Sequence, residues 1–270
     1  MGKEVLKKYS IRAKKALGQN FLQDEFILEK IAGSTEIKGK NIVEVGPGYG
    51  ALTEKILNQK PQSLDLVELD TDMIRVLEER QQRGEFNIKD SKFHIHHIDV
   101  LKYIPTFTGY DVIANIPYYI TSPILRHFLY EVEHKPKQMI ILMQDDVGQK
   151  ILGKGKNKSG VLSLFVEKKC HVSELIKVPK ECFVPAPKIE SSVLMFESHE
   201  NYNDVDDELF LKIIKIAFAE PRKKLSKNLI KGGFSKDIIQ QVFLSQNLGE
   251  NTRGEDLSIE VWIALVKELS

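Results

Sequence analysis

The sequence predicts an α/β protein: a doubly wound, mostly parallel sheet with an antiparallel edge, followed by a small all-helical C-terminal domain. Three observations carry this reading. Over roughly the first two hundred residues, short apolar runs alternate with segments of helical spacing, the rhythm of repeated βαβ units. The first apolar run ends in a glycine turn, "EVGPGYGA", as the first strand of such a sheet does. Beyond residue 200 the strand-like runs stop and only helical patterns follow.

The elements follow in order. "NIVEV" is a buried strand running into the glycines, and "ALTEKILNQ" is the helix after them. "SLDLVELD" is a second strand and "TDMIRVLEERQQ" its helix. "KFHIHHIDV" and "YDVIANI" supply the third and fourth strands, and "SPILRHFLYEV" a helix started by Ser122-Pro123. "KQMIILMQ" is the fifth strand. "SLFVEKKCHVSELIKV" and "SSVLMFES" read as strands with no long helix between them, which predicts an antiparallel pair at the sheet edge. A polar stretch, "SHENYNDVDD", sets a domain boundary at 200, giving domains 1–200 and 201–270. In the second, "PRKKLSKNLIKGG" reads as a helix started by Pro221, which puts Lys223, Lys227 and Lys231 on one face.

Composition narrows the function classes. The 270 residues are 42% hydrophobic and 29% charged, with no apolar run of membrane-spanning length. Two cysteines, Cys170 and Cys182, are too few for a disulfide framework, and a reducing cytoplasm fits them. Net charge is +1, but basic residues cluster at Lys7, Lys8, Arg12, Lys14 and Lys15, at Lys154, Lys156 and Lys158, and from Arg222 to Lys231. Such clusters suit a polyanionic partner and equally suit an ordinary solvated surface.

In an open parallel sheet, ligands bind beyond the carboxyl ends of the strands. Gly46 and Gly48 at the first end permit a tight turn and close approach of a ligand. Glu68, at the second, can accept from ribose hydroxyls of either NAD or S-adenosylmethionine. Asp99, at the third, can accept from the exocyclic amine of an adenine ring. Asn115, at the fourth, opens "NIPYYITSPI". Each acid alone also fits a helix N-cap. Acids at two successive strand ends followed by Asn-x-Pro-Tyr form the pattern of S-adenosylmethionine-dependent amino-group methyltransferases. Asn115 and a backbone carbonyl near Ile116 can accept both N–H bonds of an adenine amine, Pro117 sets the backbone, and Tyr118 can stack on the base. Tyr119 reads as a packing residue. His94 and His96 share a strand face opposite His97, with no Cys or further His to complete a shell, so no metal site is expected.

"KKALGQNFL", "VEVGPGYGALT", "VELD", "ANIPYYITSPIL", "FVPAPKIESSV" and "AFAEPRKKLSKNL" together resemble the KsgA-type small-subunit ribosomal RNA adenine dimethyltransferases, in order across nearly the whole chain. The resemblance implies a Rossmann-like class I methyltransferase domain with S-adenosylmethionine as cofactor and a helical RNA-binding domain. It implies cofactor contacts from Asn20, Leu22, Gly46, Glu68, Asp99 and Asn115, the N-terminal segment folding over the site. Asn115, Tyr118 and Phe183 become the residues around the target base. The implied substrate is a pair of adjacent adenines near the 3′ end of 16S rRNA, each methylated twice within a pre-ribosomal 30S particle, by a cytoplasmic monomer. Glu220-Pro221 stands where the family usually shows arginine. Three alternatives stay open: a large-subunit adenine methyltransferase of the antibiotic-resistance type, a non-catalytic assembly or transcription factor on the same fold, and an NAD dehydrogenase.

Overall fold

The structure, a computed structural model, describes residues 2–14, 17–89, 91–153 and 159–270, apart from the side chains at 2, 3 and 118. Lys15, the lysines at 154–158 and the Tyr118 side chain therefore lie outside the described residues. In chain order the elements are α1 (Gly2–Lys8), β1 (Phe21–Leu22), α2 (Glu25–Ala32), β2 (Asn41–Val45), α3 (Ala51–Asn58), β3 (Ser63–Glu68), α4 (Thr71–Gln82), β4 (Lys92–His97), β5 (Tyr110–Asn115), α5 (Thr121–Arg126), β6 (Gln138–Gln144), α6 (Asp145–Ile151), α7 (Val161–Glu167), β7 (Cys170–Val178), β8 (Phe183–Val184), β9 (Ser191–Ser198), α8 (Asp207–Ala217), α9 (Leu225–Lys231), α10 (Lys236–Ser245) and α11 (Ile259–Glu268).

Seven strands form one sheet in the order β4-β3-β2-β5-β6-β9-β7. The pairs from β4 across to β6 are parallel and β6 pairs antiparallel with β9, so the predicted mostly parallel sheet with an antiparallel edge is observed. β6 buries Met139 through Met143 without a break because both its faces are covered, whereas the edge strand β4 has no fully buried residue. β2 lies between β3 and β5, so the chain leaves it in one direction for β3 and β4 and later returns on its other side. That reversal brings the carboxyl ends of β2 and β5 side by side and opens the crevice in which such sheets bind ligands.

Cα packing divides the chain into two compact units, 1–148 with 173–198, and 149–172 with 199–270. The first is built on the sheet, with a core that includes Ile42, Leu64, Ile113 and Ile140. The second is helical and closes around Trp262, Phe210, Ile213 and Leu265. Trp262 also donates its indole N–H to the Gly254 carbonyl, so no polar atom of the ring is stranded.

Three local expectations are corrected. A cut at 200 leaves 149–172 with the sheet, but the structure gives them to the helical unit, because α7 buries Leu164 among Phe210 and Ile213. The same helix replaces the strand expected at "SLFVEKK". Its apolar run is short enough to fit either period, and Val161, Leu164 and Phe165 follow the helical one. Pro221 does not start a helix: α9 begins at Leu225, because buried Asn228 donates its amide to the carbonyls of Ala217 and Glu220 and holds the intervening residues in a turn. Lys223 therefore precedes the helix, and Lys231 ion-pairs with Glu220 at 2.7 Å.

Candidate active site

The carboxyl ends of β2, β3, β5 and the turn after β4 surround one cleft of about 1100 Å3, open solvent at its mouth included. Asn20, Leu22, Gly46, Glu68, Asp99, Asn115 and Phe183 all line it.

The glycine loop builds its floor. Gly46 has φ +70°, and a Cβ there would stand 3.0 Å from the Asn115 carbonyl, so only glycine lets the end of β2 lie against the end of β5. Gly48, at φ +56°, turns its N–H to Glu68 Oε2 at 3.2 Å. The other Glu68 oxygen, Oε1, accepts from the N–H groups of Leu69 and Asp70, each at 2.8 Å. Burial pushes the Glu68 carboxyl above its ordinary range, and these three backbone donors pull against that shift. Glu68 is thus a fixed acceptor linking the glycine loop to the end of β3.

Asp99 uses one of its two carboxylate oxygens. Its Oδ1 caps the 3-10 turn after β4 by accepting from Leu101 N–H at 3.0 Å, while Oδ2 has no partner among the described residues. The Asn115 side chain, at the last residue of β5, likewise makes no hydrogen bond among the described residues, so its amide is available to a ligand. Pro117, at φ −58° and ψ 139°, then turns the chain into the 3-10 turn Tyr118–Ile120.

The N-terminal segment supplies the roof through contacts that no local pattern announces. β1 pairs antiparallel with β8, Leu22 opposite Phe183, across about 160 residues of chain. Phe183 is buried in the sheet core, so it lines the cleft as part of the wall. Asn20 donates to the Gly18 carbonyl, keeping the segment turned. Asp70, which also N-caps α4, accepts from Lys14 and from Gln19 at 2.5 and 2.6 Å. Those bonds fasten Lys14 and Gln19 beside Glu68. Tyr119, expected to be a packing residue, is 65% exposed and lines the cleft. The change from buried Ile116 to the partly open Pro117 marks this stretch as one that presents an edge to solvent.

Glu44, 1% exposed beneath the cleft, has its carboxyl pushed up to about 8 by burial, against the hydrogen bond that Thr53 donates and with the nearby Glu68 charge adding to the rise. From its ordinary value of 4.5 up to that range, the folded chain holds a proton that the unfolded chain has released. Stability therefore falls as pH rises through the window, by about 1.4 kcal/mol per pH unit for this one group. Glu44→Gln is expected to remove that share of the slope; denaturant melts of parent and variant at pH 6 and 7.5 with equal slopes would refute it.

The polar lining fits an adenosine-bearing sulfonium: a fixed carboxylate acceptor in Glu68, a carboxylate oxygen of Asp99 and an amide of Asn115 without partners among the described residues, and glycines in the loop in between. The family model for "Ribosomal RNA adenine dimethylase" matches residues 10–270. The chain is 35% identical over 259 residues to "Ribosomal RNA small subunit methyltransferase A" of Mycoplasma mobile, covering 95% of this chain and 98% of that protein. It is 35% identical over 278 residues to the protein of the same name from Alkaliphilus oremlandii, covering 99% and 96%. Among solved structures it is similar to a dimethyladenosine transferase from Plasmodium falciparum, with TM-score 0.79, 22% identity and coverage of 92% and 96%. The 23S rRNA methyltransferase ErmE is also similar, with TM-score 0.72, 20% identity and coverage of 93% and 99%; at these identities the structures speak for the fold. By a family model spanning nearly its full length and by these relatives, the chain belongs to the ribosomal RNA adenine dimethylase family.

Proposed function

We propose that this protein uses S-adenosylmethionine to dimethylate N6 of two adjacent adenines near the 3′ end of small-subunit rRNA, acting as a monomer on a pre-ribosomal 30S particle in the cytoplasm. The observation that carries the reading is the Asn115 amide at the end of β5, without a partner among the described residues and in one cleft with Glu68 and Asp99. S-adenosylmethionine, when bound, supplies a methyl group already activated by its sulfonium. The protein's own residues have then to bind, orient and exclude water. Glu68 and Asp99 hold ribose and adenine, while Asn20, Leu22 and Gly46 shape the cofactor's side of the cleft. Asn115 accepts from the target amine, which frees the nitrogen lone pair from the ring. Phe183 and Tyr118 flank the base that has left its stack.

Among the described residues no helix is long and apolar enough to cross a membrane. The small-subunit reading is preferred to the large-subunit one because the relatives at 35% identity carry the small-subunit name over the full length. Transfer of labelled methyl groups to small subunits lacking the modification, with the nucleotides mapped, tests it. Label on two adjacent adenines near the 3′ end is expected. Label confined to large-subunit RNA would favour the resistance-type enzyme, and no label would favour a non-catalytic assembly factor. Calorimetry with S-adenosylmethionine and with NAD separates the dehydrogenase reading.

The helical domain is assigned to RNA positioning. Lys223 and Lys227 are exposed with no ion pair among the described residues, and Lys231 is held by Glu220. Replacing all three with alanine is expected to weaken subunit binding and leave cofactor affinity unchanged. It should also flatten log affinity against log salt by roughly one unit for each phosphate that is no longer neutralised. An unchanged slope and affinity would move the search for the RNA surface to the basic residues from Arg12 to Lys15 and from Lys154 to Lys158.

A further inference from the structure

We propose that Asp65, His94 and His96 form a binding site for one divalent late first-row transition-metal ion, Zn2+ being the type case, on the outer part of the sheet and apart from the cleft. The register makes the group. Asp65 on β3 lies opposite His94 on β4, and His96 follows two residues on, so strand alternation turns all three to one face. Nothing local to the two histidines marks the third donor, because Asp65 is contributed by a different strand. None of the three lines the cleft.

His94 Nδ1 lies 3.0 Å from Asp65 Oδ1, and His96 Nε2 lies 3.1 Å from Asp65 Oδ2. All three donor atoms fall within 4.8 Å of one another. Metal–ligand bonds of about 2.0–2.2 Å set neighbouring donors roughly 2.9–3.5 Å apart, and each imidazole already stands at such a distance from one Asp65 oxygen, His94 from Oδ1 and His96 from Oδ2. An ion on one of these oxygens needs the other imidazole to close in from within 4.8 Å. The carboxylate is oriented from outside the ligand set: Tyr103 donates its hydroxyl to Asp65 Oδ2 at 2.6 Å, and the Tyr103 carbonyl is itself bonded to His127 Nε2 at 2.8 Å.

Exposure is graded to suit an ion arriving from water. The Asp65 side chain is 8% exposed, that of His96 35% and that of His94 57%. The buried carboxylate is the anchor and the remaining coordination positions face solvent. Two imidazoles and one carboxylate favour zinc, cobalt, nickel or copper over magnesium or calcium. Because β4 is the edge strand and, among the described residues, pairs only with β3, the ion ties that edge down three residues before Asp99.

The chain has seven histidines, so the test needs internal controls. Full-length protein is stripped with a chelator and titrated at pH 7.5 with Zn2+ by calorimetry and with Co2+ by visible absorption. One saturable site per chain is expected, with Co2+ bands of nitrogen and oxygen ligation. His94→Ala and His96→Ala should each weaken binding by at least about tenfold, the scale on which even supporting residues of metal sites act. His97→Ala, on the opposite strand face, and His171→Ala, in the helical unit, should leave it unchanged. Asp65→Asn should abolish it; if that buried variant does not fold, the two histidine variants, whose side chains are partly exposed, decide alone. Parent affinity equal to that of the His94→Ala/His96→Ala double variant overturns the proposal and leaves Asp65 as a hydrogen-bond acceptor for its neighbours.

Discussion

Asn115→Ala is expected to yield a folded protein whose methyl transfer is slower by at least about a hundredfold, the scale of removing one preorganised polar partner from a reacting group. The structure favours a loss of rate without a loss of fold. Asn115 is the last residue of β5, its backbone pairs with Leu142, and its side chain bonds to nothing among the described residues. Truncation therefore strands no buried partner and leaves the ladder intact. What disappears is the acceptor proposed for the target amine. The measurement is single-turnover methyl transfer by purified Asn115→Ala beside the parent, with circular dichroism and cofactor affinity taken on the same samples. Turnover close to that of the parent in a folded, cofactor-competent variant would refute the assigned role.

Glu68→Gln is expected to weaken S-adenosylmethionine binding by about 1–3 kcal/mol, roughly ten- to a hundredfold. In the parent, one carboxylate oxygen accepts from Gly48 and the other from Leu69 and Asp70. A glutamine offers one oxygen and one NH2, so whichever way it turns, a donor faces a donor on one side. The charge that a ribose diol would bond to is lost, and so is half of the clasp on the glycine loop. Calorimetry on Glu68→Gln and parent checks this: equal dissociation constants would show that another residue holds the ribose, whereas a raised dissociation constant in a variant that is still folded at the temperature of the titration would support the assignment.

Much of this site is legible in the sequence because its residues sit at strand ends, and strand ends are marked by local chemistry. The apolar runs of β2, β3 and β5 stop at Val45, Glu68 and Asn115, where glycine or a polar side chain takes over. Asp99 shows why one residue type can satisfy two readings at once, since one oxygen caps a turn and the other remains for a ligand. Tyr119 escapes a reading by pattern because adjacent aromatics carry no periodic signal inside a 3-10 turn, where three residues complete a revolution. The Glu220 carboxylate, an oddity in a basic stretch, finds its reason in Lys231, eleven residues on and one helix away.

By itself, the sequence determined what periodicity and turn chemistry encode over a few residues: the βαβ order, the parallel sheet with its antiparallel edge, the glycine loop and the polar residue closing each strand. These depend on neighbours close along the chain, whose side chains share a face at a spacing of 2 or 3.6. Only the tertiary structure decided the contacts between residues distant in sequence. It paired Leu22 with Phe183, fastened Lys14 and Gln19 to Asp70, drew 149–172 into the helical unit and set Asp65 against His94 and His96. Such contacts carry no local signature, because each arises when two separately specified surfaces are buried together, and the free energy that selects the pairing belongs to the packed whole.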